Sequence, residues 1–157
     1  MRVLLPALLW PVGAFADTLA DTHFSMNFCW ERAYSVQHLA EHPDQTVTTI
    51  RLRREPMGFP KAPCETLMQI EVTFRGGGGR REGPEAVAIG YCRPDGDARL
   101  LCGIEGDGGS YRNEAQGGHE ILLAPGSEGM HFETREAFRE LREDEGGDRA
   151  FLLRRCG

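Results

Sequence analysis

Two histidines four residues apart, His38 and His42, are the first residues whose spacing suggests chemistry. In His38-Leu39-Ala40-Glu41-His42 a helix would bring both imidazoles to one face, where they can share Zn²⁺ if a third ligand arrives from elsewhere. The order is H-x-x-E-H, and the hydrolases that use it are far larger than this chain. Pro43 also places His42 on the last helical turn, where histidine complements the helix dipole. His38 and His42 are therefore the metal candidates, against a capping role. Asp95, Asp97, Glu105 and Asp107 gather around one hairpin and the next turn. Carboxylates in glycine-rich loops can bind Ca²⁺, but the twelve-residue EF-hand pattern is absent and Asp-Gly is ordinary turn chemistry. Arg75, Arg80 and Arg81 bracket the glycines at 76–79. Such a loop could wrap an anion, yet it lacks the lysine and Ser/Thr of a phosphate loop. Ser25, Ser35, Ser110 and Ser127 lie outside any G-x-S-x-G elbow. No motif calls for a cofactor, and the chain reads as a binding protein rather than an enzyme.

The five cysteines cannot all pair within one chain. Cys92 and Cys102 flank the turn Pro94-Asp95-Gly96-Asp97, which predicts a bridge across adjacent strands. A helix ending near His42 places Cys29 about 20 Å back along it. Packed along the first strand, that helix would carry Cys29 towards Cys64. The expectation is Cys29–Cys64 and Cys92–Cys102, with Cys156 free.

The elements that must position these residues begin with the N-terminus. Arg2, an apolar run over 3–12 and the small residues Ala14 and Ala16 have the order of a secretory signal peptide, cut before Asp17. This assigns 1–16 to a signal peptide and the protein to the periplasm or the exterior, without membrane insertion after cleavage. Residues 17–45 read as a helical segment packed on the domain, with a helix over 22–42 from the spacing of Phe24, Phe28, Ala33, Val36 and Leu39. Residues 46–157 read as an antiparallel β domain. Strands are expected over 46–55, 65–75, 85–92, 99–105, 110–114, 119–123, 130–133 and 148–156, separated by Gly, Pro and Asp turns. The clearest is 65–75, where Met68, Ile70, Val72 and Phe74 alternate with polar residues. In 85–92, Val87, Ile89 and Tyr91 share one face and Ala86, Ala88, Gly90 and Cys92 the other. Phe138 and Leu141 suit a short surface helix over 134–144. The fold class is mainly β: a small up-and-down barrel of about eight strands with an N-terminal helix, or alternatively a β-sandwich.

The formal net charge of −6 with no basic tract speaks against nucleic acid or an anionic membrane as partner. Eight-stranded barrels either fill with side chains or hold one small molecule. The first functional expectation is a binding module for a small apolar or amphipathic ligand. The alternative is a protein-binding module, such as an inhibitor of a secreted protease. The contact end is expected where the 93–99 turn meets the 56–63 connection, with Met57, Phe59, Arg93 and Arg99 as binding residues.

Three stretches also carry a resemblance. They are residues 34–52 (Tyr34-Ser35-Val36-Gln37-His38 and on to Leu52), Cys102-Gly103-Ile104-Glu105-Gly106-Asp107-Gly108-Gly109, and Asp148-Arg149-Ala150-Phe151-Leu152-Leu153-Arg154. Together they resemble an uncharacterised group of small exported bacterial proteins. Gly106 stands where such sequences carry a second cysteine. The resemblance implies export and no particular activity.

Overall fold

The computed structural model describes residues 18–25, 27–56, 58, 65–76 and 83–157. The signal-peptide assignment, Met57, Phe59, Cys64, Arg80 and Arg81 lie outside the described residues. Nine strands form in chain order: β1 (Cys29–Ala33), β2 (Val47–Arg54), β3 (Thr66–Phe74), β4 (Glu85–Pro94), β5 (Arg99–Ile104), β6 (Gly109–Ala115), β7 (Glu120–Glu133), β8 (Phe138–Leu141) and β9 (Phe151–Arg155). Each of β1 to β6 pairs antiparallel with the next, β6 pairs with β7, and β7 and β1 both pair with β9. The eight strands β1–β7 and β9 thus close into an antiparallel barrel, and β8 lies on the end of β7 as an extra strand. Closure removes the exposed edges of an open sheet.

Alternation decides which residues face inward. On β3 the buried set Met68, Ile70, Val72 and Phe74 is the one that alternation predicts. On β4 the small set, Ala86, Gly90 and Cys92, is buried and Val87 is exposed. The reason is Tyr111 on β6. A Cβ on Gly90 would stand 2.1 Å from its hydroxyl, so the strand beneath the ring must be glycine.

Three expectations about helices and strands need correction. Residues 22–42 are not one helix: α1 (Leu19–His23) and α2 (Val36–Glu41) flank strand β1. Thr18 and Ser35 cap the two helices, and Asn27 takes a left-handed φ of 60° that turns the chain into β1. The barrel therefore begins before residue 46. Residues 134–144 carry strand β8, because Phe138, Glu140 and the buried Leu141 pair with the far end of β7. The segments 119–123 and 130–133 are one strand, bent around Gly126 and Gly129, with a register shift opposite Gly109 and Tyr111.

The cysteines follow from the extra strand. Cys92 and Cys102 are directly opposed on β4 and β5 and form a disulfide. Cys29 is bonded to Cys156, not to Cys64. With β1 in the barrel wall, Cys29 opens the strand beside the end of β9, where Trp30 pairs with Arg155. The expected Cys29–Cys64 bridge assumed a helix in that place, and Cys156 is not free.

Candidate functional site

The barrel interior is occupied. Trp30, Ile50, Leu52, Met68, Ile70, Leu100, Tyr111, Ile121, Leu123, Phe151 and Leu153 form one cluster with at most 1% of their surface exposed. Two polar side chains sit among them. Tyr111 Oη stands 3.4 Å from Cys92 Sγ, and burial pushes its phenol well above its ordinary pKa. The Asn113 amide donates to Met68 Sδ and Cys102 Sγ, both at 3.6 Å, and its carbonyl oxygen has no partner among the described residues.

Both ends are covered. At the end carrying the β4–β5 and β6–β7 turns, α1 lies across the opening. Leu19 N–H donates to the Asp97 carbonyl at 2.7 Å, and a His23 ring nitrogen meets the Gly117 carbonyl at 3.2 Å. Trp30 Nε1–H donates to the His23 carbonyl at 3.0 Å, and the Phe24 and Phe28 rings meet edge to face beneath. At the opposite end, the Arg75 guanidinium donates to the Leu39 and His42 carbonyls and holds α2 in place. The buried Asp148 carboxylate accepts from Thr46 N–H, Thr46 Oγ1–H and Val47 N–H at 2.6–3.1 Å.

The expected site residues are dispersed. His38 and His42 stack at 4.2 Å, but His38 Nε2 is engaged with Gln45 Oε1 at 3.0 Å. No group of three or more metal-ligating side chains occurs among the described residues. Asp95 and Asp97 lie at the α1 end, while Glu105 and Asp107 turn at the other, separated by the length of β5. Arg75 braces α2, and the remainder of the expected anion loop, with Arg80 and Arg81, lies outside the described residues. Arg99 is held by Asp95, with Nε 2.6 Å from the carboxylate. Arg93 is exposed and lines a 400 Å³ groove with Tyr91, Leu101, Gly103, Ser110 and Arg112 on the outer wall, without Arg99. Of the two expected contact residues that are described, Arg93 lines this groove and Arg99 does not. Ser35 caps α2, and Ser110 and Ser127 line the same outer groove without a histidine.

A larger feature was not foreseen. β5 ends at Ile104 and β6 starts at Gly109, but β4 begins at Glu85 and β7 runs to Glu133. Beyond the β5–β6 turn, then, two strands continue with no strand paired between them among the described residues, and the wall has a notch of 540 Å³. Val87 and Ile89 of β4 form one side and His131 and Glu133 of β7 the other, with Ile104 and Phe132 at its base. Phe138 flanks it, in ring contact with His131 at 5.4 Å. His131 Nδ1–H donates to the Asp107 carbonyl at 2.9 Å, which ties the turn to β7. Val87 and Phe138 are 61% and 64% exposed, so two large apolar side chains stand open at one place. The signal for Val87 was present in the alternation of 85–92. Which face looked outward depended on Tyr111, a residue of another strand.

No family model matches the chain, and no curated protein or solved structure matches it either. No helix among the described residues is long and apolar enough to cross a membrane.

Proposed function

We propose that the protein is an exported protein-binding module of the periplasm or the extracellular space, acting by contact rather than by catalysis. The observation that carries this reading is the contrast between a filled interior, covered at both ends, and an outer notch beside exposed Val87 and Phe138. A barrel that carries a small molecule needs an internal cavity; the interior residues here meet one another instead. Two disulfides suit an oxidising compartment, as does the signal-like N-terminus. An inhibitor of a secreted hydrolase is one role such a module can fill, an analogy of architecture alone. A small apolar ligand is the second reading, and the same notch, lined by Ile104 and Phe132, is where it would fit.

A photo-crosslinking amino acid at position 87 or 138, in the protein expressed by its own host, tests the proposal. Protein adducts from both positions, and none from the exposed Arg154 of β9 on the opposite wall, are expected. Native mass spectrometry that finds a stoichiometric small molecule, with no protein adduct, would overturn it in favour of the ligand reading.

A further inference from the structure

We infer that the notch accepts an extended, basic segment of the partner as an added β-strand along the free edge of β4. The inference rests on the protein-binding reading above and gives its partner a chemistry.

The first argument is main-chain hydrogen bonding. Phe74 N–H donates to the Pro84 carbonyl, so the even-numbered residues of β4 serve β3. The Ile89 carbonyl accepts from Glu105 N–H, so the odd-numbered residues face the β5 side. Donors and acceptors alternate in this way along any antiparallel strand. Glu85 and Val87 therefore turn their N–H and C=O towards the notch, where β5 has ended. Across the notch, His131 N–H donates to the Gly108 carbonyl, and by the same alternation Glu133 faces inward. Among the described residues neither edge has a strand partner there.

Natural edges are usually blunted by lysine, proline or a bulge. Here the residues at the edge are Glu85, Ala86, Val87 and Ala88, with neither lysine nor proline among them. An added strand places alternate side chains outward over Val87 and Phe138 and inward over Ile104 and Phe132. Its charge follows from the rim. Asp107 and Glu133 in the lining and Glu85 beside it are exposed carboxylates; among the described residues His131 is the one basic residue of the lining, and Arg135 lies in the groove beside Glu85 and Val87. A segment alternating apolar residues with arginine or lysine complements both features.

The test uses dodecapeptides selected from a random phage-displayed library on the oxidised full chain, then synthesised. The expected peptides alternate basic and apolar residues, and they bind more weakly as salt rises. N-methylation of every second residue should lower affinity at least tenfold in one phase and leave it unchanged in the other. Bound peptide should slow amide exchange at Val87 and Glu133. Val87→Pro removes a notch-facing donor while sparing the β3 ladder at Ala86 and Ala88, and it should abolish binding. Peptides insensitive to N-methylation in both phases overturn the strand pairing even if that variant fails to fold. In that case cross-links from positions 87 and 138 would still support the wider protein-binding reading. Absent cross-links with phase-dependent peptide binding would reject that wider reading and keep the edge.

Discussion

Gly90 and Tyr111 set the inside of the barrel at the scale of single residues. The Tyr111 ring lies over Gly90, and its hydroxyl reaches the disulfide sulfur of Cys92. Gly90→Ala puts a methyl group where the hydroxyl is, with no room on either side. Overpacking of this kind costs about 1–3 kcal/mol, and urea unfolding should show that loss with the slope unchanged. The buried phenol also makes stability depend on pH. Tyrosine in the unfolded chain ionises near pH 10, while burial keeps Tyr111 protonated above that value. The folded state then holds more protons than the unfolded state, so stability is complete below about pH 10 and falls as pH rises further. In Tyr111→Phe that part of the alkaline loss should disappear. Phenolate absorbance assigned to Tyr111, as the difference between the two proteins, should rise only as the protein unfolds. A rise in the folded protein would mean that the ring is reachable by solvent.

Elements explain where the amino-acid sequence was legible. β3 was readable because inward Met68, Ile70, Val72 and Phe74 and outward Gln69, Glu71 and Thr73 differ in chemistry at every step. The Cys92–Cys102 bridge was readable because a turn of known type fixes which residues oppose each other. β1 was not, because it is five residues long and carries Trp30, whose partners His23, Leu52 and Arg155 come from three separate segments. Helical spacing of Phe24, Phe28 and Ala33 competed with it locally, and only closure of the barrel decides for the strand. One misread element then misplaced a disulfide. Peptide mapping without reductant should recover Cys29–Cys156 and Cys92–Cys102, leaving Cys64 as the only thiol that alkylation can label. The first bridge ties β1 to β9 across 127 residues, close to the whole described barrel. Cys156→Ser should therefore cost about 2–5 kcal/mol. Recovery of Cys29 linked to Cys64 would mean that β1 does not lie beside β9. The notch was illegible for a related reason. It arises from unequal strand lengths, in which β4 and β7 outrun β5 and β6, and the segments 119–123 and 130–133 had to be seen as one strand first.

For the whole molecule, the arrangement separates a closed end from an open flank. α1 bridges two hairpins and the indole of Trp30, so it acts as a cap over the interior. If the interior is filled and capped, an apolar dye such as 1-N-phenylnaphthylamine should find no stoichiometric site in it. Residues from Thr18 onward contain a single tryptophan, Trp30, which is fully buried, so its fluorescence reports on the cap alone. A chain starting at Phe24 loses the buried Leu19, its bond to Asp97 and the cover over the indole. The His23 ring contact with Gly117 and the Trp30 Nε1–H bond to the His23 carbonyl go with it, so one leucine and three hydrogen bonds together amount to about 3–7 kcal/mol. The shortened protein should be less stable by that amount, with red-shifted emission and new dye binding at the opened end. Peptide binding at the notch should be retained, because the notch lies at the far ends of β4 and β7. If the intact protein already takes up the dye and the deletion changes nothing, the interior is a ligand cavity, and the outer wall loses its claim as the working surface.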